Sequence, residues 1–180
     1  MRKLARALLG SMTFAFLALA SISPASASYT YSGTCVPFAR MVSGIEIYGN
    51  AHTWWDQAAG KYARGAEPRV GSVMVMKAHG SMRVGHVAMV SQIVDARTIR
   101  ITHANWSIIN GRRGQVEENV LAVDTSANND WSRVRVWYAP MHGIGLTSYP
   151  VSGFVYNEPA HGSGVTLAAN TAAPGISTLH

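Results

Sequence analysis

The chain holds one cysteine, Cys35, and so can form no disulfide within itself. Its fold must stand on buried apolar surface alone. That constraint matters because the first residues read as an export signal. Arg2, Lys3 and Arg6 precede an apolar run from about Ala7 to Ile22, and Pro24 leads into Ala25-Ser26-Ala27. A positive head, an apolar centre and an A-x-A end predict cleavage after Ala27. Ser11, Thr13 and Ser21 interrupt the run, which is short for a membrane span, so no stable membrane insertion is expected after cleavage. The expected location is periplasmic, cell-wall-associated or secreted. Disulfides persist in such compartments. A lone thiol there is an inert buried hydrophobe, an intermolecular link or a nucleophile.

Removing residues 1–27 leaves 153, enough for one domain with a real core. The signal carries three of the fifteen Lys and Arg and none of the nine Asp and Glu, so the remainder is only mildly basic. No Lys/Arg cluster with interleaved aromatics occurs, and nucleic acid is not expected as a partner. A monomer is expected.

Local patterns then divide the chain. From Cys35, the apolar positions Val36, Phe38, Ala39, Met41 and Val42 predict a short helix, with Pro37 in its first turn and Ser43-Gly44 at its end. A second helix is expected over His52 to Ala59, stopped by Gly60. Strands are expected over 71–77, 86–93, 98–103 and 134–138, from apolar runs and period-two alternation. Residues 124–130, DTSANND, read as a polar loop. After Tyr156 the pattern fades into small residues, which predicts a flexible tail from about residue 157. The expected fold class is α+β, with N-terminal helices packed on an antiparallel sheet. The expected domains are the signal at 1–27, a catalytic domain at 28–145 and a C-terminal extension at 146–180.

A nucleophilic thiol needs a base, and the base needs a group to orient it. Of seven histidines, His86 and His103 lie on candidate strands that flank one turn. A turn centred between residues 94 and 95 sets His86 across from His103, whereas one centred between 95 and 96 sets it across from Asn105. His103 and Asn105 share a face, so either register makes both neighbours of His86. A hydrogen-bonded sheet edge is the plainer reading of the same residues. Cys35 opens a helix, where unpaired backbone N–H groups and the helix dipole favour a thiolate. The same groups suit the oxyanion formed when a thiolate attacks a carbonyl.

In this order, GTCVPFAR around Cys35, YGNAHTWW, GSVMVMK, GHVAMVSQI around His86, ITHANW and NNDWSRVRVWY resemble the CHAP family, cysteine- and histidine-dependent amidohydrolases/peptidases related to the NlpC/P60 group. The resemblance spans roughly Gly33 to Pro140. It implies a papain-like CHAP fold, with Cys35 as nucleophile and His86 as general base. In the family an acidic residue often orients the histidine, and here His103 stands at that place. The orienting role therefore falls to His103 or to Asn105, which matches the family's asparagine.

The implied function is a secreted cysteine amidase or endopeptidase that hydrolyses an amide bond in peptidoglycan. The alternative is an inactive cell-wall-binding or scaffolding protein that keeps the fold. Trp54, Trp55, Trp106 and Trp131 are candidates to line a substrate groove, with Trp106 and Trp54 the two singled out. No metal motif occurs, and neither metal nor other cofactor is expected.

Overall fold

The computed structural model describes residues 29–160. The expected signal at 1–27 lies outside them, as does the expected tail from residue 161 onward. The described part is mostly β, 45% strand against 14% helix. The expectation of helices packed on a sheet is therefore corrected: the architecture is a closed six-stranded antiparallel barrel.

The chain enters through helix α1, Cys35–Ser43, then a single 3-10 turn at Ala51–Thr53 and the short α2, Trp54–Gln57. Eight strands follow: β1 Tyr62–Gly65, β2 Val73–Met76, β3 His86–Asp95, β4 Thr98–Ala104, β5 Val116–Asp124, β6 Arg133–Tyr138, β7 Gly143–Ile144 and β8 Tyr149–Pro159. They order as β1-β8-β2-β3-β4-β5-β6-β7, and a further β6–β8 pairing joins the ends of the six central strands. Closure rests on Arg133 opposite Pro150 and Val134 opposite Tyr149. Strand β8 thus supplies a stave from beyond the boundary expected at residue 145, and it extends through Asn157 to Pro159, with a register shift against β1 between Val155 and Pro159.

Alternating side chains explain the two cores. In β2, Met74 and Met76 point into the barrel, where Val90, Ile101, Val136 and Phe154 also pack. Val73 and Val75 point outward and meet Ala39, Ile45, Trp54 and Val87 beneath the helices. With both faces covered, VMVM carries no polar residue at all. A barrel of this size is filled by its own side chains, and each buried Val, Met or Phe contributes about 1.5–3 kcal/mol.

Strand β8 also covers both faces, with Phe154 in the inner core and Val155 in the outer one. It bends where its register with β2 shifts between Val75 and Met76. Gly153 lies at that bend with φ of 142°, and an added Cβ would meet Trp55 at 2.5 Å and the Gly65 carbonyl at 2.7 Å. Only glycine fits so close an approach.

Helix α1 lies against β3 and β4. Phe38 is fully buried and packs against Tyr29 and Tyr31 at ring distances of 5.5 and 5.2 Å. The helix stops at Gly44, whose N–H donates to the Arg40 carbonyl. This placement sets Cys35, the first helical residue, beside the start of β3.

Candidate active site

Two features hold His86 at the barrel mouth. The first is the pairing of His86 with Met76 on β2. The second is Gly85, whose φ is 72° and whose hypothetical Cβ would lie 2.5 Å from the Met76 carbonyl and 2.8 Å from the His52 nitrogen. The 3-10 turn closes over this point, because His52 N–H donates to the Val84 carbonyl at 2.9 Å. The chain entering β3 is thereby clamped, and His86 leaves it in one direction.

Strands β3 and β4 settle the register left open by the sequence. Bulges shift the pairing along the hairpin, and near the mouth Met89 faces Thr102 and Val90 faces Ile101. Continued to the end, that register sets His86 across from Asn105. Strand β4 nevertheless ends at Ala104, and Asn105 adopts a left-handed φ of 66°. Asn105 thus leaves the strand alternation, and its backbone N–H donates to the Gln115 carbonyl at 3.0 Å. The side chain that meets His86 is His103: His86 Nε2 lies 3.0 Å from His103 Nδ1. With Nε2 so engaged, Nδ1 is the ring nitrogen of His86 left for a second partner.

A cavity of about 500 Å³ opens at this end, lined by Cys35, His86, Asn105 and Trp106 among others. His103 does not line it; it stands behind His86, 1% exposed. Trp106 forms a wall, with its ring 4.9 Å from His86 and 5.1 Å from Tyr149. Its indole N–H donates to the Trp137 carbonyl at 3.0 Å, which fixes the ring. Trp54 is not brought to the cavity. It is fully buried among the outer core, as the aromatic anchor beneath α1 and β2. Trp131 likewise packs inside the barrel, against Phe154.

The electrostatics differ from those expected for a thiol at a helix start. Burial pushes the Cys35 thiol up, and this outweighs the N–H groups of Val87, Cys35 and Val36, which pull it down. Burial, and after it the Arg113 guanidinium, lowers His86 to about 3. Burial also lowers His103, with His86 adding to the effect. Desolvation disfavours every charged form here, so burial favours a neutral thiol and a neutral imidazole at the cavity they both line. The three N–H groups converging on the sulfur are donors of the kind an oxyanion needs.

A further brace lies beyond Trp106. Ser107 N–H and Oγ–H donate to the two oxygens of buried Glu117, each at 2.7 Å, and Ala139 N–H donates to Ser107 Oγ at 3.0 Å. Glu117, Arg113 and Arg83 were not singled out from the sequence. The paired-arginine stretch Gly111-Arg112-Arg113-Gly114 was the available signal. Among the described residues, no group of three His, Cys, Asp or Glu side chains gathers in a way that would hold a metal ion. Nor is any described helix long and apolar enough to cross a membrane.

Residues 25–105 match the family model of the CHAP domain. This is a CHAP-domain protein. No curated protein matches the chain. The CHAP match takes in Cys35, His86, His103 and Asn105, and ends before β5. CHAP domains are generally hydrolases, and the family is one of amidases and peptidases that act on peptidoglycan.

Proposed function

We propose that this CHAP protein is an exported cysteine hydrolase that cuts an amide bond in peptidoglycan, with Cys35 as nucleophile and His86 as general base. The observation that carries the reading is the shared cavity: Cys35 and His86 line it together, while His103 occupies Nε2 of His86 from behind. That arrangement leaves Nδ1 to take the thiol proton.

The order of events follows from the neutral resting pair. As Sγ of Cys35 bonds to the amide carbon, its proton passes to Nδ1 of His86, and His103 Nδ1 accepts the Nε2–H of the imidazolium that forms. The N–H groups around the sulfur hold the developing oxyanion. The carbon–nitrogen bond then breaks, and the leaving amine takes the proton from His86. Water, deprotonated by His86, attacks the thioester and frees Cys35 with the acid product. A preformed thiolate–imidazolium pair is disfavoured by burial, so proton transfer accompanies attack.

The inactive-scaffold alternative rests on the absence of an acidic residue behind His86. His103 fills that place with a ring nitrogen 3.0 Å from His86 Nε2, able to accept from it when the His103 proton sits on its own Nε2, and this supports the hydrolase reading. The test is mass spectrometry of purified peptidoglycan after digestion. New amine and carboxylate termini identify the bond that is cut. Peptidoglycan that keeps its original termini after incubation with the parent protein counts against the reading.

A further inference from the structure

Two carboxylates are buried among the described residues, Asp124 and Glu117. Asp124 has a cation beside it, with Arg97 Nη1 at 3.5 Å. Glu117, 7% exposed, forms no ion pair among the described residues. Both of its oxygens accept instead from one neutral residue, Oε1 from Ser107 N–H and Oε2 from Ser107 Oγ–H, each at 2.7 Å. The Ser107 hydroxyl oxygen itself accepts the Ala139 N–H at 3.0 Å, which leaves its proton for Glu117. Two donors on two oxygens are the partners of a carboxylate anion. A buried anion held only by neutral groups is costly, and its place in the sheet shows what the charge can do.

Glu117 stands directly across from His103 in the β4–β5 ladder, and Ala104 across from Val116 continues that register. Directly opposed residues of an antiparallel pair project to one face, with Cα atoms about 4.5–5.5 Å apart. His103 in turn meets His86, Nδ1 to Nε2 at 3.0 Å. Three adjacent strands thus contribute one series: His86 from β3, His103 from β4 and Glu117 from β5. His103 Nε2 is buried without a hydrogen-bond partner among the described residues, so no carboxylate bonds to it there. The Arg113 guanidinium meanwhile opposes a positive charge on His86. A base in that position gains from an anion behind it, and Glu117 is the buried anion next in line.

We infer that Glu117 is a positioning residue that acts through His103, its buried charge favouring the imidazolium that His86 becomes when it takes the Cys35 proton. The inference rests on the assignment above of Cys35 as nucleophile and His86 as base. As Sγ forms its new bond, the thiol proton moves to Nδ1 of His86, and Nε2–H donates to His103 Nδ1. Glu117 takes no proton and keeps both bonds to Ser107. Its contribution is the attraction between its charge and the positive charge arising one ring away, which a dry site screens little. Strand β5 thus supplies the negative charge that β4, with a histidine at residue 103, does not. The bond to Ser107 fixes where that charge sits, so one carboxylate both braces the turn after Trp106 and serves the histidine pair.

Two rates test it on the full chain. One is alkylation of Cys35, the chain's single thiol, by iodoacetamide near neutral pH, followed by mass spectrometry. There the sulfur–carbon bond forms, iodide leaves and His86 takes the thiol proton, with no cell-wall substrate needed. The other is the appearance of new termini in purified peptidoglycan. Glu117→Gln, folded by circular dichroism, is expected to slow both by roughly tenfold or more. Glu117→Asp keeps the charge and retains more of both rates. Ser107→Ala loosens the brace, leaves the charge, and slows both by less than Glu117→Gln does. In a His103→Glu background a carboxylate reaches His86 directly, and Glu117→Gln no longer slows either rate. If the glutamine NH2 against the Ser107 hydroxyl prevents folding, Glu117→Gln/Ser107→Ala removes that clash of donors and is compared with Ser107→Ala. Parent-like alkylation in Glu117→Gln, equal slowing by Ser107→Ala, or undiminished slowing in the His103→Glu background overturns the inference. Slowed alkylation in Glu117→Gln beside a parent protein that leaves peptidoglycan uncut supports the inference and counts against the hydrolase reading alone.

Discussion

His86 and His103 share one hydrogen bond, Nε2 to Nδ1 at 3.0 Å, and among the described residues no carboxylate hydrogen-bonds to either ring. His103 Nε2 has no hydrogen-bond partner among the described residues. His103 orients His86 and offers its imidazolium a hydrogen bond, but no full negative charge. Such a device serves a base that takes a proton only briefly, during attack.

The first prediction concerns that bond. His103→Ala removes the acceptor that fixes the imidazole and lowers kcat about 100-fold, with KM little changed, because misplacing a base costs rate more than binding. His103→Asn supplies an amide oxygen to the same N–H and recovers part of the loss. Steady-state kinetics on a defined muropeptide distinguishes the two. Equal KM rises and unchanged kcat in both variants would assign His103 a packing role instead.

A second prediction concerns acid. His86 and His103 are held neutral in the folded state below the ordinary histidine value, His86 to about 3. The unfolded chain therefore binds more protons than the folded one once pH drops below about 6.5. Stability present above that pH is lost as pH falls, from about 6.5 toward 3 for His86 and in the same direction for His103. Urea denaturation between pH 7 and pH 4 measures this slope. Replacing both histidines by glutamine flattens it; a slope equal to the parent's in that variant contradicts the assignment.

Gly85 gives a third. Its left-handed backbone costs any other residue roughly 1–2 kcal/mol. A methyl group there also meets the Met76 carbonyl and the backbone nitrogen of His52, neither of which can swing aside. Gly85→Ala therefore lowers the melting temperature and displaces His86, and the loss of activity at a temperature where the variant is fully folded exceeds what stability explains. Circular dichroism with parallel activity assays checks both parts. Wild-type stability with wild-type activity would show that the β3 entry is not clamped.

Much of the site could be read from local pattern, and little of the closure could. Cys35 announces itself through a helix that begins there and stops at Gly44, and β2, β3, β4 and β6 carry runs or alternations that a strand requires. Hairpin alternation brings His86, His103 and Asn105 together but leaves their order open, because bulges in β3–β4 and the left-handed Asn105 are decided by packing. Strand β5 hides its alternation behind a left-handed Asn119. Strand β8 loses its alternation by covering two cores, with a glycine at its bend. Closing the barrel depends on β8 meeting β6, a pairing with no local signature, so local pattern points only to helices packed on an antiparallel sheet. Arg83 and Arg113 became visible only once their two loops met at one cavity.

The central claim is that Cys35 carries the chemistry. Its direct test is the rate at which purified peptidoglycan gains new termini under the parent protein and under Cys35→Ala, with both proteins shown to be folded. The account predicts release by the parent and none above background by the variant. Equal release by the two would contradict it.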